Sequence, residues 1–437
     1  MLSVLCAKLE GRVMNWSLIL ILLAVCAGLL WSGIRRRGGI YEYPFLAGAT
    51  FLGFVLPQMP ALADDPYLPG GAFAKAAFFT TLCAAACWVG WVAGNRPLAS
   101  LQWTLDKRRV VWLAAVLTAA GGIFYYKLST LPKEALDASL YSGLPVAYLF
   151  LAKMLSYGLY LAVLCLMRSQ SKLALAVALV GASLLLHRTV IEGRRGELAE
   201  FLLVAALSAW FTRGAAVPRA VALIGALLAG LALNSTGDYR SATKGQDGPK
   251  WSEISRIDVL GNFIDVLKNG GPEMRNAVLR INAADEMMAF DFGLFHWNIL
   301  IYNFVPAQLV GREAKNSLFI TMPDQYGRGY DPPTGTTETG MADAFASFWY
   351  LGFLKFFLIA YALSRLYRTA MQGSLAAQVI YMVSVVPAML AITHHTQWVL
   401  STWVHVALFL LSGLALARIP AGSRRTPARR GIKARAG

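Results

Sequence analysis

A short segment near the middle of the chain concentrates charged side chains. Residues 187–197 include Arg188, Arg194, Arg195 and Glu197, with glycines on either side of the arginine pair. Arginine presents a planar fork of donors that matches phosphate oxygens, and glycine lets a ligand approach the backbone closely. The segment therefore predicts an anion site formed by the three arginines, with Glu197 as a further candidate substrate-binding residue. Anchoring at a membrane interface through local ion pairs is the alternative.

Two carboxylates, Glu338 and Asp343, stand at the start of an apolar segment. A carboxylate near an apolar boundary is costly unless it is paired or functional, and it can take a proton from a reacting hydroxyl. Both are therefore candidate catalytic residues. For Asp343 the alternative is a helix N-terminal residue that the helix dipole favours.

Other cationic and titratable residues lie in the second half of the chain. Arg328 is flanked by two glycines and then by two tyrosines, a setting that suits a sugar or phosphate as well as a plain turn. His394 and His395 can serve as a base or as phosphate ligands, although interfacial histidines are more often structural. The remaining candidate substrate-binding residues are Arg240, Arg312 and Lys315.

The sequence lacks the motifs of several large enzyme classes. There is no Walker loop, no GxGxxG after a strand, no HExxH and no CxxC, which argues against a nucleotide-driven pump, a dehydrogenase and a zinc protease. The five cysteines have no metal-ligand spacing and form no disulfide framework. We therefore expect neither a cofactor nor a metal.

Apolar segments must position these residues. The chain of 437 residues is 57% hydrophobic and 15% charged, whereas soluble domains carry roughly 25% charged residues. Its apolar runs reach the ~20 residues needed to cross a bilayer, so we predict an all-α integral membrane protein with about eleven spanning helices. The expected spans are 16–34, 44–60, 72–94, 110–126, 144–167, 173–190, 197–212, 218–234, 342–364, 374–393 and 398–418.

Basic residues cluster in alternate connections, which predicts the orientation. Residues 35–37 and 107–109, and the later clusters up to the C-terminal tail, fall on one side when eleven spans are counted. By the positive-inside rule that side is the cytoplasm, so the N-terminus is outside and the C-terminus inside. The same pattern accounts for the net charge of +16 without a nucleic-acid partner.

Four regions follow from this topology. Residues 1–234 hold spans one to eight, 235–341 form a large outer loop, 342–418 hold the last three spans, and 419–437 form a basic cytoplasmic tail attracted to anionic lipids. Apolar spacing in the loop predicts helices around 254–267, from Met274 onward, and over 292–310 with an interruption at Pro306.

Three stretches make the sequence resemble bacterial Wzy-type O-antigen polymerases, also called oligosaccharide repeat-unit polymerases. The first stretch is Arg194-Arg195-Gly196-Glu197, the second is Phe304-Val305-Pro306 followed by Arg312 and Lys315, and the third runs from Asp343 to Gly352. In the third stretch Asp343 replaces the family's usual Glu, and Trp349 replaces a Gly.

The resemblance implies a GT-C-like, metal-independent glycosyltransferase in the bacterial inner membrane. It would join polyprenyl-pyrophosphate-linked oligosaccharides at the periplasmic face. Arg195, with Arg188 or Arg194, would hold the pyrophosphate, and Asp343 or Glu338 would activate or orient the acceptor hydroxyl. The implied partners are the lipid-linked oligosaccharide, membrane lipids and a chain-length regulator.

Other functions remain open from the sequence. An O-antigen ligase shares the same layout. A transporter or flippase is a second class, and its main support is Lys153, a charged residue inside an apolar segment. A structural partner in an envelope assembly is the third.

Overall fold

The computed structural model describes residues 2–131, 144–191, 195–235, 238–239, 250–323, 326, 330–333 and 336–419. Over those residues the chain is helical, and its only β pairing is an isolated antiparallel bridge between Leu105 and Arg418.

The first half of the described chain forms ten α-helices. They are α1 (Leu2–Ile34), α2 (Tyr43–Thr50), α3 (Met59–Ala63), α4 (Ala72–Ala93), α5 (Lys107–Ser129), α6 (Leu144–Ala152), α7 (Met154–Ser169), α8 (Lys172–Ile191), α9 (Arg195–Arg213) and α10 (Arg219–Asn234).

The second half adds six helices in the predicted outer loop and five after it. They are α11 (Trp251–Ile254), α12 (Val259–Asn269), α13 (Pro272–Glu286), α14 (Leu294–Phe304), α15 (Ala307–Val310), α16 (Arg312–Ser317), α17 (Gly340–Phe348), α18 (Phe353–Met371), α19 (Leu375–Thr393), α20 (Gln397–His405) and α21 (Ser412–Leu416).

Eight of the helical segments are long and apolar enough to cross a bilayer, so the chain is an all-α, multi-pass membrane protein. They coincide with the first five and the last three predicted spans. These segments are Glu10–Ile34, Tyr43–Ala63, Ala72–Ala93, Lys107–Ser129, Leu144–Ser169, Gly340–Met371, Leu375–Thr393 and Gln397–Leu416.

The other three predicted spans, 173–190, 197–212 and 218–234, fold as the helices α8, α9 and α10. Among the described residues, the shorter apolar segments are Lys172–His187 in α8 and Arg219–Leu228 in α10. In α9, Glu197 lies in the first turn and Arg213 in the last. The total of eleven crossings therefore stays a prediction.

Several spans are interrupted, which the apolar pattern does not predict. The second span passes from α2 through a π turn at Phe51–Val55 and a 3-10 turn at Leu56–Gln58 into α3. Prolines at positions 57 and 60 lack the N–H that a regular helix uses, which explains this break. The ninth predicted span breaks at Trp349–Gly352, where Trp349 has a φ of 52°.

Helices α12, α13 and α14 overlap the three helices predicted in the large loop, although residues 255–258 are not helical, and a break occurs at Pro306. Helix α13 is part of the core, because Met274, Ala277, Val278 and Ile281 are fully buried and the helix packs on α4 and α17. One face of the loop is thus built into the bundle. The predicted basic tail lies almost entirely outside the described residues.

A buried charge cluster as candidate functional site

Three regions that are distant in sequence meet beside the N-terminal end of α17. Helix α13 brings Arg280, the segment before α17 brings Glu338, and α17 itself carries Asp343. The turn between α19 and α20 adds His395 and Thr396. We call these five residues the charge cluster. Ion pairs, close charges and hydrogen bonds link its members in a chain.

Arg280 and Glu338 form an ion pair in the interior. Each side chain is only 2% exposed, so water solvates neither charge. The Tyr326 hydroxyl donates to Glu338 Oε2 over 2.9 Å, and the Arg280 guanidinium lies 5.9 Å from the centre of the Phe295 ring. Burying two charges is expensive unless they are paired and hydrogen-bonded. These two charges are paired and Glu338 also accepts a hydrogen bond, whereas Arg280 Nε has no hydrogen-bond partner among the described residues.

Asp343 is held by several donors. The Thr396 N–H donates to its Oδ2 at 2.5 Å and the Thr396 hydroxyl donates to Oδ1 at 2.8 Å. Lys355 Nζ lies 3.3 Å from Oδ1 and also donates to the Ser347 hydroxyl. Because these donors occupy a carboxylate that is fully buried, the geometry favours a positioning role in which Asp343 fixes the turn that carries His395.

His395 lies between the two carboxylates. Its Nδ1 is 3.4 Å from Glu338 Oε1 and 3.9 Å from Asp343 Oδ2. Burial lowers the pKa of His395; the charge of Asp343 opposes this change, and those of Arg280 and Lys355 add to it. The imidazole is therefore neutral at neutral pH, and a neutral imidazole can accept a proton.

A second histidine supports the turn from the other side. His296 Nε2 lies 2.9 Å from the Thr396 hydroxyl oxygen. Since that hydroxyl gives its proton to Asp343, His296 must donate, which assigns its proton to Nε2. Burial lowers the pKa of His296 to about 4. This histidine is thus a neutral donor in a chain that runs to Asp343.

An open groove of about 550 Å³ lies next to the charge cluster. Tyr67, Arg275, Asn282, Tyr326 and Tyr330 are among its lining residues, and we call it the side groove. Tyr326 connects it to the cluster through the hydrogen bond to Glu338. Aromatic rings next to amide and charged groups suit the apolar faces and hydroxyls of a sugar.

The structure brings together three of the predicted site residues: Glu338, Asp343 and His395. His394 takes a different direction, with its Nδ1 2.7 Å from the Thr393 hydroxyl. Lys315 donates to the Tyr302 carbonyl over 3.0 Å, while Arg312 is exposed on α16. Arg312 and Lys315 lie on elements outside the charge cluster, whereas His394 shares the turn of His395 without being a member of the cluster.

The predicted anion site falls largely outside what the structure describes. Arg194, Arg240 and Arg328 are outside the described residues, and Arg188 and Arg195 belong to helices whose side chains are not described there. Glu197 lies in the first turn of α9 and is partly buried. The role of these arginines stays a prediction.

Sequence reasoning missed Arg280, Lys355, Thr396 and His296. Arg280 had a detectable signal, because it shares a helix face with the small buried residues Ala277 and Ala284, three and four positions away. A lone arginine on an apolar face needs a buried partner. Thr396 and His296 had no such signal, since only the fold brings them to Asp343.

Within the described part of the chain, no group of three or more His, Cys, Asp or Glu side chains is arranged to hold a metal ion. Comparisons with protein-family models, with curated proteins and with solved structures find no match.

Proposed function

We propose that the protein is a membrane glycosyltransferase that polymerises polyprenyl-pyrophosphate-linked oligosaccharide repeat units. The observation that carries the proposal is a buried cluster of charges that includes a neutral histidine and opens, through Tyr326, onto the side groove. The proposal places this site at the periplasmic face of the inner membrane, with the N-terminus outside and the C-terminus inside.

The reaction needs a base for the acceptor and a counter-charge for the leaving group. The acceptor hydroxyl oxygen attacks the anomeric carbon of the donor sugar, and the bond from that carbon to the phosphate oxygen breaks. Polyprenyl pyrophosphate leaves with the bonding electrons. The hydroxyl proton passes to His395 Nε2, because Nδ1 is buried beside the Glu338 and Asp343 carboxylates.

The two carboxylates are placed to stabilise His395 after it accepts the proton. When His395 gains a proton, the negative charges of Glu338 and Asp343 lie 3.4 and 3.9 Å from its Nδ1 and stabilise the imidazolium. Glu338 is already engaged with Arg280, which weakens it as a base. Within this proposal His395 is therefore the base, and the carboxylates position it.

In this proposal the arginines of the predicted anion site bind the leaving group. Arg195, with Arg188 or Arg194, would neutralise the charge that grows on the pyrophosphate, as preorganised donors do at other developing oxyanions. Donor sugars attached to pyrophosphate are already activated, so this mechanism requires no metal.

Purified protein supplied with lipid-linked repeat units tests the proposal. The wild type should produce a ladder of longer glycans, and His395→Gln should slow it by about 100-fold or more, the usual contribution of a general base. Arg195→Ala should abolish extension at normal protein level. The same Gln change at His394 should cost less than about tenfold, since its ring lies beside Thr393. A wild type that never lengthens glycan refutes the proposal.

An O-antigen ligase would use the same chemistry on a different acceptor. The glycan profile of a deletion strain separates the two enzymes. Lipid core capped with single repeats indicates a lost polymerase. A bare core, with polymer accumulating on the polyprenyl carrier, indicates a lost ligase.

A transporter or flippase is the alternative from another class, and the interrupted helices favour it. Breaks occur at Phe51–Val55, Trp349–Gly352 and Val406–Leu411, and transporters commonly bind substrate at discontinuous helices. Proteoliposomes with a fluorescent lipid-linked sugar decide the point. Translocation by the purified protein without glycan extension would replace the glycosyltransferase proposal.

A further inference from the structure

Lys153 stands at a break in the middle of a membrane-spanning segment. It is the turn residue between α6 and α7, and its carbonyl accepts from the Ser156 N–H at 3.2 Å. The segment Leu144–Ser169 is otherwise apolar except near Arg168. Ionisable residues in such segments are rare and functional by default.

The depth of Lys153 suits a lipid headgroup. At ~1.5 Å per residue it lies about 22 Å along the segment from Arg168, which belongs at the opposite boundary of a hydrocarbon core about 30 Å thick. Its Cα therefore lies roughly 8 Å inside the nearer boundary, and a lysine side chain can reach most of that distance. The ammonium therefore reaches the depth in the bilayer at which the lipid phosphates begin.

The surroundings leave the ammonium available. Its side chain is exposed, and within the described residues it makes neither a hydrogen bond nor an ion pair. The Trp398 ring centre lies 5.9 Å from Nζ. The charge of Glu200 also acts on the ammonium, although the two groups do not form an ion pair. A cation that lies beside an aromatic ring in an apolar segment is expected to bind an anion.

Lys153 is also adjacent to both parts of the proposed site. Trp398 follows Thr396, which binds Asp343, by two positions. Glu200 lies in the second turn of α9, the helix that Arg195 begins. The ammonium therefore lies near the turn that carries Thr396 and near the second turn of α9.

We infer that Lys153, with Trp398 beside it, binds the pyrophosphate of the polyprenyl-linked substrate from the bundle side. This inference rests on the proposed function and adds a substrate-binding residue to it. The Trp398 ring flanks the ammonium, with its centre 5.9 Å from Nζ.

Binding of undecaprenyl pyrophosphate to the purified full-length protein in detergent tests the inference without catalysis. Lys153→Met should weaken binding at least tenfold, and Lys153→Arg should retain most of it. The matched control is Lys127→Met, because Lys127 Nζ also lies 5.9 Å from the rings of Phe124 and Tyr148. That change should alter binding less than twofold. Equal binding by wild type and Lys153→Met would overturn the inference.

A measurement on the wild type covers the case in which Lys153→Met does not fold. An amine-reactive reagent should label Lys153, and undecaprenyl pyrophosphate should protect it while Lys127 stays reactive. Equal protection by inorganic pyrophosphate shows a site for free pyrophosphate, and equal protection by phosphatidylglycerol shows non-specific contact with lipid phosphates. Either result, or no protection at all, overturns a specific lipid-pyrophosphate site.

The outcomes separate this inference from the proposed function. If the wild type extends glycan and Lys153→Met binds undecaprenyl pyrophosphate normally, the inference fails alone. If Lys153 is required for binding but the wild type never extends glycan, the proposed function fails and the binding site stands.

Discussion

The Arg280–Glu338 pair holds two opposite charges in the protein interior, where each side chain is only 2% exposed. Replacing Arg280 by Met would leave the Glu338 carboxylate buried and unpaired. We expect the free energy of unfolding to fall by about 3–5 kcal/mol, the usual effect of removing one partner from a buried pair. Denaturation of the purified protein in detergent measures this change.

The double variant Arg280→Met with Glu338→Gln should recover much of that loss, because it removes the orphaned charge as well. The control is Arg12→Met, which breaks the exposed pair of Arg12 and Asp64, whose side chains are 63% and 36% exposed. That change should stay below about 1 kcal/mol. Similar decreases in the free energy of unfolding for Arg12→Met and Arg280→Met would show that burial does not determine how much an ion pair contributes to stability.

His296 predicts a pH dependence of stability. Its pKa lies at about 4 in the folded protein and at 6.5 ordinarily, so the unfolded chain binds the proton more readily. Stability is therefore full above pH 6.5 and is lost as the pH falls toward 4, by up to about 1.4 kcal/mol per pH unit for one proton. Thermal unfolding between pH 7 and pH 4 should show a flatter dependence for His296→Gln than for the wild type. Parallel curves would contradict the assignment.

At the level of the helices, the break after α17 rests on a close backbone contact. A Cβ on Gly352 would collide with the Ala344 carbonyl, although Gly352 has an ordinary helical conformation. We expect Gly352→Ala to lower the free energy of unfolding by about 1–3 kcal/mol, as overpacking does. It should also reduce activity, because α17 carries Asp343. Thermal unfolding and glycan extension measure the two effects.

The matched control for that change is Gly70→Ala. Gly70 lies in a loop where an added Cβ meets nothing within 4 Å. Its stability and activity should remain close to those of the wild type. If Gly352→Ala were equally neutral, α17 and α18 would not depend on this contact for their relative position.

The helices of the large loop could be predicted because their signal is local. Apolar residues at three- and four-residue steps predict α12 and α13, and Pro306 predicts the break after α14. The break at Trp349 had no such signal. Its positive φ accompanies a hydrogen bond from the indole N–H to Asp285 Oδ1, 2.8 Å long, on another helix.

The candidate site was predictable in part for the same reason. Glu338, Asp343 and His395 stood out as titratable residues at apolar boundaries, which is visible along the chain. Their mutual contacts were not visible, since Glu338 and His395 are 57 positions apart and meet only through the packing of α13, α17 and α19. Arg280 and Thr396 enter the site through that packing.

Over the whole molecule, the number of crossings decides where the two termini lie. Eight crossings put both termini on one side, whereas eleven put them on opposite sides. We expect eleven, because α8, α9 and α10 fold as helices at the three predicted positions and the basic connections then all face the cytoplasm. Reporter fusions at each end should place the N-terminus outside and the C-terminus inside.

Single cysteines test the same topology without fusions. Ser317 is exposed on α16 in the large loop, and Ser100 is exposed in the connection between α4 and α5. Cys26, Cys83, Cys87 and Cys165 are buried, so only Cys6 needs replacement by Ser. A membrane-impermeant maleimide that reaches the periplasm of intact cells should label Ser317→Cys, and it should label Ser100→Cys only after the membrane is permeabilised. The reverse pattern would place the large loop, the side groove and the charge cluster on the cytoplasmic side, which is incompatible with a periplasmic polymerase.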